Sequence, residues 1–356
     1  MSKFHTLIVK EVVQETADSV SIAFQIPDHL KNDFTYIQGQ HLTFKLKING
    51  EEIRRSYSIC SSPYTDTELR VAVKRVNSGK GSNYLNSEIK AGTSLEIMTP
   101  MGNFNTPLNE SNSKQYILFA GGSGITPMMS IIKSVLKVEP KSKIQLFYGN
   151  EKEDAIIFKN QLKDIENNAD ERLVVHHVLN QAPSGYPENL IGIMTLDKVK
   201  QLLDTYVKID KQTEIFICGP TPMMQNVEQT LQSMNVPKNQ VHIEYFIAPI
   251  EQSNASVTPD NQSAATVTII LDGEESQIKM LPGETVLEAA LRNNLDAPYA
   301  CQGGSCCTCR ALLVEGKVEM KVNYALLDDE VKQGYILTCQ SRAVTDNIIV
   351  DYDRGL

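Results

Sequence analysis

Four cysteines near the C-terminus constrain this chain more than any other feature. Four residues separate Cys301 from Cys306, two separate Cys306 from Cys309, and 29 separate Cys309 from Cys339. The first three lie in a short loop with Gly303-Gly304-Ser305, where small residues leave room for backbone amides to approach a bound group. A tight loop that presents several thiolates predicts a metal centre, and the rest of the chain must account for it.

The spacing C-x4-C-x2-C…C is typical of a plant-type [2Fe–2S] cluster, in which two thiolates bind each iron. A tetrahedral zinc site and a set of disulfides are the alternatives. Zinc sites of four cysteines usually contain two CxxC pairs, whereas this sequence contains one. The spacing therefore predicts the cluster ligands to be Cys301, Cys306, Cys309 and Cys339, and it places Cys307 outside the ligand set.

The length of 356 residues predicts two or three domains. A hydrophobic content of 41% and a charged content of 22% are ordinary for a globular protein. The sequence has no apolar run of about 18 residues, so we expect no insertion into a membrane. The first residues lack the apolar core of a signal peptide, which predicts a cytoplasmic protein with reduced thiols.

The net charge of −9 argues against binding to nucleic acid. This charge is concentrated from Ala265 onward, where the chain contains 8 Lys and Arg and 14 Asp and Glu, a net charge of −6. Such an acidic module could dock on a basic face of a partner protein. An ordinary solvated surface explains the same charges equally well.

The hydrophobic patterns divide the chain into three domains and a linker. Residues 1–106 contain six short segments rich in β-branched residues, which predict a closed antiparallel β-barrel with one short helix capped by Ser82. Residues 107–247 alternate buried strands with amphipathic helices, one of them running through Ile157 and Leu162, and this alternation predicts an α/β domain with a parallel sheet. Residues 248–264 are rich in Ser, Asn, Gln and Pro and predict a linker. Residues 265–356 predict an α+β, β-grasp-like domain around the cluster loop.

A glycine-rich turn follows the first predicted strand of the α/β domain. Its sequence, GGSGITP from Gly121 to Pro127, lies where a helix N-terminus would present free amides to a pyrophosphate. Such turns also serve as plain connectors, and their position between a strand and a helix favours a nucleotide site. A later strand ends in Cys218-Gly219-Pro220 and should reach the same edge of the sheet.

The strand KIQLFYGN is followed by Glu151-Lys152-Glu153-Asp154. In dinucleotide folds this strand end usually lies near the adenosine ribose, where an acid favours a free 2′-hydroxyl and an arginine favours a 2′-phosphate. No arginine is present, so the segment leans away from a dedicated 2′-phosphate site. Lys152 leaves both NADH and NADPH open as the electron donor.

Two segments of the first domain carry little meaning alone. They are RSYS at Arg55–Ser58 and GKGSNY at residues 79–84. Together with GGSGITP, CGP and the four cysteines, in this order, they resemble the ferredoxin–NADP reductase superfamily with a C-terminal plant-type ferredoxin. The stretch from CQGGSCCTC to GYILTCQSR is similar to the reductase components of phenylacetyl-CoA epoxidases. The resemblance covers nearly the entire chain.

The resemblance implies FAD in the first domain, with Arg55 at its pyrophosphate, Tyr57 on its ring and Ser58 near the ring nitrogen N5. The other residues that it implies for FAD are Lys74, Val76, Gly81, Ser82 and Asn83. Those that it implies for the nicotinamide dinucleotide are Gly122, Gly124, Thr126, Pro127, Gly219 and Pro220. Those that it implies at the site of hydride transfer are Ser58, Cys218, Glu244 and Phe246.

The implied activity is electron transfer from NADH or NADPH to FAD, then to the [2Fe–2S] cluster, and then to an oxygenase. The resemblance favours the subunits of phenylacetyl-CoA epoxidase, in phenylacetate degradation, as the acceptor. A hybrid-cluster protein, a desaturase and an aromatic-ring hydroxylase are alternative acceptors. A non-enzymatic redox sensor or zinc-binding module is the alternative from another class, and the intact GGSGITP and CGP segments argue against it.

Overall fold

The computed structural model describes residues 4–246 and 265–355, and the predicted linker at 248–264 lies outside them. The first domain is a six-stranded antiparallel sheet in the order β4-β3-β6-β1-β2-β5. Its strands are β1 (Phe4–Thr16), β2 (Ser19–Gln25), β3 (His41–Ile48), β4 (Glu51–Ser58), β5 (Leu69–Lys74) and β6 (Ser94–Met98). A bridge between Ile59 and Val71 brings the two ends of the sheet together. We call this unit the barrel domain.

Alternation of side chains explains the barrel. In β3, for example, Leu42, Phe44 and Leu46 are fully buried at every second position and belong to one apolar core. The helix α1 (Lys80–Ser87) covers one side, with Leu85 inserted in that core. The predicted cap of this helix was wrong. Gly79 is the N-cap, and Ser82 lies inside the first turn, where its hydroxyl accepts from the Val76 amide and donates to the Gly79 carbonyl.

The second unit, the parallel-sheet domain, has five parallel strands in the order β11-β10-β7-β8-β9. They are β7 (Gln115–Gly121), β8 (Lys143–Lys152), β9 (Leu173–Gln181), β10 (Thr213–Cys218) and β11 (Val241–Glu244). The helices are α2 (Ile125–Val138), α3 (Lys159–Asn167), α4 (Leu196–Tyr206) and α5 (Thr221–Ser233). Two apolar cores, one on each face of the sheet, bury β7 on both sides.

The third unit, the ferredoxin domain, holds a five-stranded mixed sheet in the order β13-β12-β18-β14-β16 and a small two-stranded sheet of β15 and β17. The strands are β12 (Thr266–Leu271), β13 (Glu274–Lys279), β14 (Arg310–Glu315), β15 (Val318–Met320), β16 (Tyr335–Leu337), β17 (Ser341–Ala343) and β18 (Asn347–Asp351). The helices are α6 (Val286–Arg292), which Thr285 and Glu288 cap reciprocally, and α7 (Asp328–Lys332). This arrangement confirms the predicted multidomain fold with an α+β ferredoxin domain.

Two local predictions differ from the structure in the parallel-sheet domain. The helix predicted to run through Ile157 begins only at Lys159, because Phe158 adopts a left-handed backbone at φ 62° and the chain turns there. The second difference is the strand β11, which the sequence analysis did not predict as a strand. Along the described ranges, no helix is long and apolar enough to cross a membrane.

Candidate active site and cluster site

The four predicted ligand cysteines lie together in the ferredoxin domain as two pairs. The thiols of Cys301 and Cys306 are hydrogen-bonded neighbours, and so are those of Cys309 and Cys339. Within the described residues, no three His, Cys, Asp or Glu side chains converge on a position for a single ion. Two pairs of thiols match two irons with two ligands each, and they do not match one tetrahedral zinc.

Backbone and side-chain donors surround these sulfurs. The Gly303 amide donates to Cys301 Sγ at 3.3 Å, and Gln340 Nε2 donates to Cys339 Sγ at 3.5 Å. Hydrogen bonding from Cys306 lowers the pKa of Cys301 to about 5, which favours the thiolate that a metal needs. Gly304 has φ +75°, and a Cβ there would lie 3.0 Å from the Val322 side chain. The loop therefore packs closely against Val322 and Gln340.

Cys307 lies in the same loop but outside both pairs. It is buried, and burial raises the pKa of its thiol to about 12. A cysteine that stays protonated behaves as a small apolar side chain. The pKa values of Cys306 and Cys309 are raised as well, by hydrogen bonds to their partner cysteines and by burial, so the place of Cys307 outside the ligand set stays a prediction from the spacing.

A cavity of about 360 Å³ lies where the three domains meet. This volume is in the range of small-molecule sites. Its lining residues come from the barrel, from the end of the parallel-sheet domain and from the cluster loop. They are His41, Arg55, Ser56, Ser58, Glu244, Tyr245, Phe246, Cys301, Gly303, Ser305 and Cys306. The cavity thus joins four residues predicted for FAD or hydride transfer to two of the cluster ligands.

His41 is a lining residue that the sequence analysis missed. Its side chain is buried, and its Nε2 atom has no hydrogen-bond partner among the described residues. Burial lowers the pKa of this imidazole to about 4, so the ring is neutral near pH 7 and can donate or accept one hydrogen bond. An unsatisfied buried polar atom in a cavity wall fits a polar ligand such as the flavin ring. A single histidine in an alternating strand gives no signal of this role.

The two faces of β4 serve different neighbours. On one face, Ser58 donates to Glu244. On the same face, Ser56 contacts Thr43. Thr43 in turn contacts Thr308 of the cluster loop. Tyr57, on the other face, packs edge-on against Phe44 with ring centroids 5.2 Å apart. Tyr57 is not among the residues that line the cavity, so its predicted packing on the flavin ring stays a prediction.

The residues predicted for the FAD phosphates lie at the start of α1. Asn83 Nδ2 donates to the Val76 carbonyl, which closes the turn that leads into the helix. A Cβ on Gly81 would lie 3.3 Å from the Arg55 side chain and 3.4 Å from the Tyr57 hydroxyl. No side chain caps the first turn of this eight-residue helix. Free amides beside an arginine fit a pyrophosphate, and these residues would hold that part of FAD.

Ser58 and Cys218, which are buried, flank the half-buried Glu244 beside the cavity. Ser58 Oγ donates to Glu244 Oε2 at 2.9 Å, and Cys218 pairs with Glu244 in the register of β10 and β11. Loss of water contact raises the pKa of Glu244 to about 7, although the Ser58 hydrogen bond lowers it. This carboxyl can therefore hold or release a proton near neutral pH. Phe246 follows it in the cavity wall and is 40% exposed.

The raised pKa of Glu244 makes the stability of the protein depend on pH. The folded state binds this proton up to about pH 7, whereas the unfolded carboxyl releases it near 4.5, so stability falls as pH rises through that interval. Glu244→Gln removes this loss, and we expect its melting temperature to gain on the parent by a few degrees between about pH 5 and about pH 8. Melting curves at equal FAD loading measure the difference. If the melting temperatures of parent and variant changed with pH by the same amount, the raised pKa of Glu244 would be wrong.

The predicted dinucleotide loop lies beside Cys218 at the carboxyl edge of the parallel sheet. Gly122 has φ +51°, and a Cβ on Gly124 would lie only 2.0 Å from the Cys218 carbonyl oxygen. Thr126 Oγ1 donates to the Ser123 carbonyl, and Pro127 occupies the first turn of α2. A Cβ on Gly219 would lie 2.8 Å from the Gly121 amide nitrogen. A Cβ on Gly121 would lie 2.5 Å from the Pro220 ring. The structure brings both predicted segments together, and their contact with a nicotinamide dinucleotide stays a prediction.

Three family models match successive parts of the chain. They are an oxidoreductase FAD-binding domain at 6–106, an oxidoreductase NAD-binding domain at 118–229 and a 2Fe-2S iron-sulfur cluster binding domain at 269–344. The 1,2-phenylacetyl-CoA epoxidase of Escherichia coli contains a protein that is 37% identical to this one over 99% of both chains. The ferredoxin reductase component of the 3-ketosteroid-9-alpha-monooxygenase of Rhodococcus rhodochrous is also 37% identical, over 97% of this chain and 96% of its own.

Solved structures share the fold at lower identity. Phthalate dioxygenase reductase matches 98% of both chains with a TM-score of 0.58 at 23% identity. An intact type IV self-sufficient cytochrome P450 monooxygenase covers 98% of this chain with a TM-score of 0.71 at 21% identity, over 41% of its own length. The chain therefore belongs to the ferredoxin–NADP reductase superfamily, in the group of FAD- and [2Fe–2S]-containing reductases that supply electrons to oxygenases.

Proposed function

We propose that this chain is the reductase component of a phenylacetyl-CoA epoxidase and takes its electrons from NADH. The observation that carries the electron path is the shared cavity, because β4 of the barrel, Glu244 and the cluster loop form its walls together. A flavin held by Arg55 and Ser58 would therefore lie beside Cys301 and Cys306. The choice of acceptor is supported by the relative from Escherichia coli, which aligns over 99% of both chains.

When bound, FAD and the [2Fe–2S] cluster would supply the electron chemistry, which is the exchange of a two-electron hydride for single electrons. The residues of the chain orient the reactants and handle the proton. The pair of Ser58 and Glu244 can hold a proton at the cavity, since the carboxyl has a pKa of about 7. Cys218 supports Glu244 from the neighbouring strand. Phe246 lies in the cavity wall, where it would cover the side that the nicotinamide approaches and would limit the entry of water.

The residues at the end of β8 and directly after it favour NADH as the donor. Lys152, the cation that left the choice open, forms an ion pair with Asp154 at 3.0 Å. Glu151 accepts hydrogen bonds from the side chains of Asn180 and Gln181, and Lys159 pairs with Glu153. A 2′-phosphate at this position would lie among carboxylates, and the two lysines nearby already form ion pairs with those carboxylates. The described residues of this segment therefore offer the phosphate no free cation.

We expect kcat/KM to be at least about tenfold higher with NADH than with NADPH, which corresponds to about 1.4 kcal/mol of discrimination. Steady-state reduction of ferricyanide with each coenzyme measures the ratio. The double variant Glu151→Gln with Asp154→Asn should narrow the gap by improving NADPH. Equal or better kinetics with NADPH in the parent would contradict the preference.

Reconstitution with an oxygenase tests the proposed acceptor. The purified reductase and NADH are mixed either with the oxygenase subunits of a phenylacetyl-CoA epoxidase and phenylacetyl-CoA, or with a 3-ketosteroid 9α-monooxygenase oxygenase and its steroid. We expect product formation coupled to NADH oxidation to be at least about tenfold faster with the epoxidase. NADH consumption without epoxide, in the presence of an epoxidase that is active with its own reductase, would overturn the proposal.

The reductase of a steroid monooxygenase is the second candidate, because that relative has the same identity of 37%. The same pair of reactions decides between them. Faster turnover with the steroid oxygenase would assign the chain to the second candidate.

A further inference from the structure

Side-chain hydrogen bonds between described residues join the barrel and ferredoxin domains at three places, Arg54, Thr43 and Asn103. Arg54 pairs with Asp296 at 2.7 Å, Thr43 Oγ1 lies 3.2 Å from Thr308 Oγ1, and Asn103 Nδ2 donates to Glu330 Oε2 at 2.7 Å. We call these three pairs the docking contacts. Only the first of them joins ions of opposite charge. The Arg54–Asp296 pair is therefore the strongest electrostatic attraction among the three docking contacts.

Arg54 is buried more completely than a surface ion pair requires. Its side chain is 5% exposed, whereas that of Asp296 is 73% exposed. One nitrogen donates to Glu52 within the barrel, a second to Asp296, and a third lies 3.4 Å from the Ala297 carbonyl. The guanidinium also lies over the Tyr299 ring, with Cζ 4.3 Å from the centroid.

These partners lie at a position that matters for the cluster. Asp296, Ala297 and Tyr299 form the segment that leads directly into Cys301, the ligand in the cavity wall. The next residue after Arg54 on β4 is Arg55, which also lines the cavity. On β4, Arg54 thus contacts the segment that precedes the cluster loop, and the neighbouring Arg55 lines the cavity.

We propose that Arg54 is a positioning residue that docks the ferredoxin domain on the barrel and so sets the distance between the flavin site and the cluster. The planar guanidinium suits this role because it bonds a carboxylate and a carbonyl in one plane while stacking on an aromatic ring. The proposal rests on the proposed electron path from FAD to the cluster. It adds that the path depends on a contact that touches neither group.

Arg54→Gln and Asp296→Asn are expected to act alike, since each removes the ionic docking contact. The rate of cluster reduction after rapid anaerobic mixing with NADH should fall at least about tenfold, because a small displacement of two reacting groups lowers a rate by a large factor. Flavin reduction and ferricyanide turnover should stay at the parental level, and the visible spectrum of the oxidised cluster should be unchanged. Arg54→Lys keeps the charge without the planar fork and should recover part of the rate.

Glu52→Gln is the matched control, because it removes the other ionic partner of Arg54, which lies within the barrel. It should reduce the cluster at the parental rate. Small-angle X-ray scattering gives a second measurement that needs no turnover. The radius of gyration should rise in Arg54→Gln and Asp296→Asn and stay constant in Glu52→Gln. Asp296 is largely exposed, so its variant carries the test even when Arg54→Gln folds poorly.

Parental cluster reduction and an unchanged radius of gyration in both Arg54→Gln and Asp296→Asn would overturn the proposal. These measurements use the reductase alone, without an oxygenase. A wrong acceptor would therefore appear only in the reconstitution experiment, and a wrong docking contact only here.

Discussion

Cys339→Ser is expected to yield a protein that binds FAD but has lost its cluster. Cys339 supplies one thiol of the pair with Cys309, and a serine hydroxyl does not replace a thiolate as an iron ligand. We expect iron affinity to fall by more than about 100-fold, beyond the loss caused by changing a residue that only supports a ligand. Iron and sulfide analysis and the visible spectrum measure the loss.

The same variant separates the two halves of the electron path. Ferricyanide takes electrons from the flavin, so its reduction by NADH should continue near the parental rate. Cytochrome c takes electrons from the cluster in this scheme, so its reduction should fall to the background of a flavin-only enzyme. Cytochrome c reduction at the full rate in Cys339→Ser would show that the path does not pass through the cluster.

Cys307→Ala is the control from the same loop. Its thiol is buried and lies outside both pairs of ligand cysteines. Iron content and both activities should match those of the parent. Loss of the cluster in Cys307→Ala would place this cysteine among the ligands and overturn the assignment by spacing.

Gly124→Ala is expected to damage the dinucleotide loop more than other changes of a single methyl group. The new Cβ would lie 2.0 Å from the Cys218 carbonyl oxygen and 2.9 Å from the Gly219 amide. Both are backbone atoms at the end of β10, and β10 is hydrogen-bonded to β7 along its length, so neither can move aside alone. Overpacking at such a site costs about 1–3 kcal/mol.

Relief of this clash requires the loop to move away from Cys218 and Gly219, where the nicotinamide is predicted to lie. We expect KM for NADH to rise at least about tenfold, with a lower melting temperature. Gly149→Ala is the control in the neighbouring strand β8, because its Cβ would lie 3.1 Å from the flexible end of Met194 and an ordinary 3.7 Å from the Ala120 carbonyl oxygen. An unchanged KM in Gly124→Ala would remove this glycine from the dinucleotide site.

Much of the cluster site followed from spacing, because three cysteines in one loop and a fourth further along the chain leave few chemical alternatives. The six barrel strands followed from short segments rich in β-branched residues, and the parallel sheet followed from alternating strands and helices. The start of α1 did not, because Ser82 has the side chain of a cap while Gly79 has the backbone position. The strand β11 was also hard to predict, since its four half-buried residues show no period.

Residues whose role depends on contacts between domains were beyond the sequence. His41 has the appearance of an ordinary strand residue, and only the cavity shows its unsatisfied nitrogen. Arg54 and Arg55 are adjacent and chemically identical. Which one meets the ferredoxin domain depends on the register of β3 and β4, in which Lys45 opposes Arg54 and Phe44 opposes Arg55. Local pattern does not determine that register.

Because the residues of β4 contact different neighbours on its two faces, a change in the length of this strand should be less tolerated than a substitution within it. The face of a strand on which a side chain lies depends on whether its position is odd or even. One residue inserted after the turn at Gly50 would exchange the two faces, so that Arg54 and Ser58 would both turn away from their present partners. Substitutions in this strand can affect docking or the proton-holding pair separately, whereas a single insertion or deletion would disrupt both together.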